Sequence, residues 1–131
     1  MKGFVGGIAK LTEENTDFRR VLYTGKNLQL VLMSIPPAGE IGEEVHKERD
    51  QFFRVEGGAG EVLIDGKRSK VKSGDAIIVP AGARHNIGNT GDEPLRVYTL
   101  YAPPNHRDGT VRVTKADADA RREHFDGKTT E

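Results

Sequence analysis

Apolar residues in this chain come in short runs, several alternating with polar ones, and turn-forming clusters cut the runs apart. Residues 18–23 and 28–35 are two such runs, separated by Thr24-Gly25-Lys26-Asn27, and they predict two strands. Pro36-Pro37-Ala38-Gly39 then breaks the chain. Residues 45–46 and 51–55 follow around a polar corner, and 60–64 and 67–71 flank Asp65-Gly66. That pair favours a type I′ hairpin turn, because Asp and Gly tolerate positive φ. Residues 76–79 are apolar at every position, which predicts a strand buried on both faces. Pro80-Ala81-Gly82 leads into a strand at 84–89, and 95–101 is the last clear strand before Pro103-Pro104. Strands of this length and spacing predict an all-β sandwich or barrel.

The ends read differently. The first ten residues carry no strand signal and are expected to dock lightly, with a weak helical turn starting at Thr12-Glu13-Glu14. Thr114 stands where an N-cap is needed and Asp117 near the positive end of the dipole. Together they predict a helix over about 115–125, ended by Gly127. No repeat, low-complexity segment or linker divides the 131 residues, so one domain spanning 1–131 is expected.

Composition narrows the function. Twenty basic and twenty acidic residues cancel, so there is no cationic excess for a nucleic-acid backbone. The apolar runs fall far short of the ~20 residues that span a bilayer, and no apolar leader opens the chain. The absence of cysteine excludes disulfides and a thiolate site, and fits the reducing cytoplasm expected for this chain. Sixteen Gly and six Pro, spread along the chain, supply the turns of an all-β fold.

Residues i and i+2 of a strand share a face. Glu44 and His46 therefore point together, as do Gln51, Phe53 and Val55, and as do His85, Ile87 and Asn89. Where those faces look into one barrel, an acid, two imidazoles and an amide converge. Two neutral imidazoles and a carboxylate suit Fe, Mn, Ni or Zn as the divalent ion, with Gln51 as a weak fourth ligand and positions left open for water or substrate.

The stretch 74–89 resembles the second motif of the cupins, G-x5-P-x-G-x2-H-x3-N. Gly74, Pro80, Gly82, His85 and Asn89 fill every fixed position. The first motif, G-x5-H-x-H-x(3 or 4)-E-x6-G, is matched in part over 38–58. Setting His46 on its first His puts Glu48 on the second and Phe52 or Phe53 on the Glu, and neither phenylalanine can bind metal. Setting His46 on the second His puts Glu44 on the first, Gln51 on the Glu and Gly58 on the closing Gly, while the opening Gly falls on Ala38. The second register offers a donor at every position and is adopted here. It departs from the three-His-one-Glu pattern.

The resemblance implies a double-stranded β-helix (a jelly-roll barrel), one divalent metal ion on Glu44, His46, Gln51 and His85, and a small-molecule ligand. It also implies a homodimer. Met33, Phe53 and Tyr101 are candidates to line the cavity beside the metal. Two functions follow. One is a small metalloenzyme of dioxygenase, isomerase or decarboxylase type acting on a sugar derivative or organic acid. The other is a non-catalytic binding module.

Other features read more plainly. Gly57-Gly58-Ala59-Gly60 lacks the Lys-Ser/Thr pair of a phosphate loop and reads as a hairpin corner. His106 and His124 are expected in solvent, and Glu43, Lys47, Glu48 and Arg49 as rim charges. On the final strand Val97, Thr99 and Tyr101 share one face, and Arg96, Tyr98 and Leu100 the other.

Overall fold

The computed structural model describes residues 1–131. The chain runs α1 (Ile8–Glu14), β1 (Arg19–Thr24), β2 (Gln29–Ile35), β3 (Glu44–Val45), β4 (Asp50–Gly57), β5 (Ala59–Ile64) and β6 (Lys67–Lys72). It continues through β7 (Ala76–Val79), β8 (Arg84–Asn89), β9 (Leu95–Ala102), β10 (Val111–Arg112) and α2 (Lys115–Ala120). One sheet has the order β10-β1-β2-β9-β4-β7 and the other β3-β8-β5-β6, and every pairing is antiparallel. This is the all-β barrel with a short C-terminal helix that the pattern predicts.

Alternation decides what is inside. On β9, Leu95, Val97, Thr99 and Tyr101 are buried, while Arg96, Tyr98 and Leu100 are half-buried on the outer face. Val31, Met33 and Ile35 of β2, Phe53 and Val55 of β4, Val62 of β5 and Ile87 of β8 join them in one apolar cluster drawn from both sheets. The Asp65-Gly66 turn has φ of 45° and 83°, both positive as a type I′ turn requires. No helix is long and apolar enough to cross a membrane.

Three expectations are corrected. First, β7 is buried on one face only: Ile77 and Val79 point in, while Ala76 and Ile78 are exposed. β7 is an edge strand, and nothing covers its outer side. Second, helix α1 ends at Glu14 instead of beginning near Thr12. The helix packs against β9, β4 and β2, and Thr12 is fully buried, its hydroxyl donating to the Ile8 carbonyl. Third, α2 is capped by Thr114 as expected, with Thr114 Oγ1 accepting from the Asp117 N–H, but it stops at Ala120. The following residues leave the helix, Phe125 N–H donates to the Asn105 carbonyl and Glu123 turns inward.

Ala38 occupies the position of the first motif's opening glycine, and its φ is 64°. The backbone there takes the left-handed conformation that glycine adopts freely and an L-residue adopts at about 1–2 kcal/mol. The extra unfolded-chain entropy of glycine offsets about 0.4–1 kcal/mol of that. Ala38 is exposed, so no packing is lost on substitution. Ala38→Gly should therefore stabilise the fold by about 0.5–1 kcal/mol, measured as a higher midpoint in urea at unchanged slope.

Candidate metal centre and the cavity beside it

Strand pairing builds the centre. Glu44 of β3 lies directly opposite His85 of β8, so the acid and the imidazole meet at one level of the sheet. His46 follows β3 immediately, held where its carbonyl accepts from the Gly82 N–H at 2.8 Å. Gly82 turns the chain into β8 with φ of 88°, which glycine allows. One donor atom each from Glu44, His46 and His85 lie within 4.8 Å of one another. The two imidazole rings are 5.4 Å apart between centroids.

Gln51 sits on the inward face of β4, opposite Tyr101 of β9, whose ring meets that of His46 edge-on at 5.7 Å. Its amide has one orientation. Thr99 donates its hydroxyl proton to the Phe52 carbonyl at 2.8 Å, so Thr99 Oγ1 can only accept from Gln51 Nε2, at 3.0 Å. Gln51 Oε1 is left buried with no hydrogen bond. The His85 tautomer is set in the same way. Nδ1 stands 3.0 Å from the Ala83 carbonyl and donates to it, which leaves Nε2 with its lone pair free.

His46 Nε2 is 2.8 Å from Glu44 Oε2, yet the pair is not aligned as donor and acceptor and the nitrogen makes no hydrogen bond. Burial pushes the Glu44 carboxyl up. The contact with His46 and the charges of His46, Arg19 and His85 outweigh it, and the net direction is down. The centre thus presents an ionised carboxylate beside two buried polar atoms without partners, and an unpaired buried group is costly.

A cavity of about 370 Å³ opens against Glu44 and His46. Its far wall is a second polar cluster that local pattern did not reveal. Gln29, fully buried, uses all four of its bonds. Nε2 donates to Thr24 Oγ1 and to the His106 carbonyl, and Oε1 accepts from the Asn105 and His106 N–H groups. That clamp turns His106 inward, against the expectation of solvent. His106 is buried, its Nε2 is 3.2 Å from the Tyr101 hydroxyl, and the two rings meet edge-on at 5.0 Å. Glu123 reaches in from beyond α2, its Oε1 lying 3.6 Å from His106 Nδ1 and 3.4 Å from Arg19 Nη1. His124, beside it, is exposed on the cavity rim. Met33 and Phe53 lie in the apolar core rather than on this cavity, and Tyr101 stands behind its wall, between His46 and His106.

Burial pushes Tyr101 far up, and the Glu44 charge adds to it, so Tyr101 keeps its proton. Burial lowers His106, contact with Glu123 opposes this, the Arg19 charge adds to it, and the net is down. Burial raises Glu123, but His106 and Arg19 prevail and bring it to about 2.

A model of the cupin domain matches residues 31–101, and the chain belongs to the cupin family. The protein YrkC of Bacillus subtilis (strain 168) is 46% identical over 123 residues, covering 89% of this chain and 66% of that one. The present chain thus spans just under two thirds of YrkC. The crystal structure of BH2720 from Bacillus halodurans superposes with a TM-score of 0.90 at 45% identity, over 92% of this chain and 96% of that one. That of KdgF from Halomonas sp. superposes at 0.62 with 26% identity, over 69% and 79%.

The acid limb of stability follows from Glu123 and His106. Both groups are shifted down on folding, so the unfolded chain takes up its proton first as pH falls. His106 should begin to weaken the fold as pH drops below 6.5. The Glu123 contribution, complete above about 4.5, should fade toward about 2. Glu123→Gln should lower stability at neutral pH by on the order of 2 kcal/mol and flatten the loss below pH 4.5, as read by thermal unfolding across pH.

Proposed function

We propose that this cupin holds one divalent metal ion, Mn, Fe, Ni or Zn, on Glu44, His46, Gln51 and His85, and acts on a small polar organic molecule in the adjoining cavity. The observation that carries this is the pair of buried, unpartnered atoms, His46 Nε2 and Gln51 Oε1, together with the carboxylate and imidazoles within 4.8 Å. An amide oxygen with free lone pairs, a tautomer-fixed imidazole, an ionised acid and a second imidazole beside it fit a borderline-hard cation.

When bound, such an ion supplies Lewis acidity toward an oxygen of the ligand. The chain's own residues do the rest. Thr99 and the Ala83 carbonyl orient Gln51 and His85 before anything binds. Tyr101, kept protonated by burial, donates to His106 Nε2 and so holds a proton beside His46. Phe18 and Ile41 give the cavity apolar lining that sheds water, and Arg19 and His106 supply polar contacts. This arrangement supports the enzyme reading, since a proton-holding pair stands next to the proposed metal.

Metal per chain, measured before and after dialysis against chelator, tests the site. His46→Ala and His85→Ala should each weaken metal binding by more than about a hundredfold, beyond the usual cost of losing an outer-shell partner. Unchanged stoichiometry in both would end the proposal. Thr99→Val keeps the β-branched shape but lets the Gln51 amide rotate, and should weaken metal binding by about tenfold to a hundredfold. Oxygen uptake or substrate loss over sugars and organic acids then tests turnover.

A homodimer through the outer face of the larger sheet also fits. Phe52 lies beside Ile78 on one neighbour and Leu100 on the other, and the Tyr98 ring is 6.2 Å from that of Phe52. Ile78→Asp should shift the mass seen by light scattering from two chains to one. An unchanged mass would place the contact elsewhere.

A further inference from the structure

Arg19 is buried, with only 8% of its surface exposed, and its Nε has no hydrogen-bond partner. Its guanidinium rests over the Phe18 ring at 5.5 Å, a fixed platform at the cavity wall. His106 is buried as well, and its Nδ1 is also without a partner. Tyr101 has Nε2 as its acceptor, so Nδ1 carries the proton and faces the same way as Arg19. Arg19 Nη1 and His106 Nδ1, two buried donors, converge on one place.

That place is held by a carboxylate of the chain itself. Glu123 is buried, while Arg121, Arg122 and His124 around it are exposed. It stands off at 3.4 Å from Arg19 and 3.6 Å from His106, longer than the 2.7–2.9 Å of a well-formed charge-assisted bond. The donors are thus set for a carboxylate and only loosely satisfied by this one. The same cavity is lined by Glu44 and His46.

We infer that Arg19 and His106 form a carboxylate-receiving subsite, so that the cavity takes a small organic acid, and that Glu123 is the chain's own occupant, released when the acid binds. The inference rests on the cavity being the ligand site of the proposed function. Removing Glu123 leaves the Arg19 charge uncompensated, and one carboxylate restores neutrality. A phosphate dianion suits the place less well, because Glu43, Glu44 and Asp119 also line the cavity. A neutral sugar leaves Arg19 buried without a counter-ion, which is costly.

Malonate and its neutral analogue malonamide separate these cases by calorimetry on the full chain, both as purified and after chelator treatment. Malonate should bind and malonamide should bind at least about tenfold more weakly, since only one carries the charge. Arg19→Met should weaken malonate by at least about tenfold, and Arg19→Lys should recover only part, because it keeps the charge and loses the planar fork. Glu123→Gln should tighten malonate by about tenfold, since the competitor is gone. That gain cannot come from misfolding, and it keeps the test decisive if Arg19→Met fails to fold. Amide resonances of residues 121–126 should shift with malonate in the wild type. Equal affinity for malonate and malonamide, no binding of either, or no gain in Glu123→Gln would overturn the inference. Arg19-dependent malonate binding by a chain that retains no metal would uphold it and remove the metal reading. Metal retained with malonate binding indifferent to Arg19 and Glu123 would do the reverse.

Discussion

The pairing of β3 with β8 sets Glu44 opposite His85, and the cost of placing ionisable groups inside a barrel governs much of what surrounds them. A buried polar atom must be bonded or it destabilises the fold by about 1–3 kcal/mol. Most of the barrel's buried polar groups obey this rule. Asn89 donates to the Ile35 and Glu93 carbonyls and accepts from Gly91. Gln29 completes all four of its bonds. Six buried side-chain atoms are exceptions. Four of them, His46 Nε2, Gln51 Oε1, Arg19 Nε and His106 Nδ1, belong to the centre and the cavity beside it, while Arg54 Nε and Arg96 Nε lie on β4 and β9. The exceptions are thus concentrated at the centre and its cavity.

The two polar clusters are joined through Tyr101. Its ring touches His46 on one side and His106 on the other, and its hydroxyl meets His106 Nε2. A change at the Glu123 end therefore reaches the Glu44 end through two aromatic contacts and one hydrogen bond. The tail is part of this connection. Residues beyond α2 bond back to the 105 loop and to the end of β1, through Phe125 to Asn105 and Thr130 to Thr24. The last residue also receives the N–H groups of Lys2 and Gly3 and the Tyr23 hydroxyl. The lightly docked N-terminus is thereby tied to the C-terminus.

Legibility followed the range of the physics. Strand alternation is local, so the inward faces of β4 and β8 were readable from residue order, as was the shared face of Glu44 and His46. On β9 both faces carry apolar residues, and only the barrel turned Val97, Thr99 and Tyr101 inward. The first motif's register was chosen on chemistry, because only one of the two alignments puts a donor at every ligand position. The positive φ at Ala38 agrees with that register on independent grounds, since backbone geometry asks for a glycine there. The continuous apolar run at 76–79 misled, because periodicity cannot tell a central strand from an edge strand whose outer face is bare.

Alone, the order of residues determined the all-β class, the turns, the second motif and the four candidate ligands, because each depends on neighbours a few positions apart. Tertiary structure decided that His106 is inside, that Glu123 faces Arg19, and that α2 stops at Ala120. Those outcomes depend on contacts 77 residues apart, between Gln29 and His106, and 104 apart, between Arg19 and Glu123. No local pattern carries such a pairing, since a loop histidine or a tail glutamate is buried only when the folded barrel sets a partner opposite it.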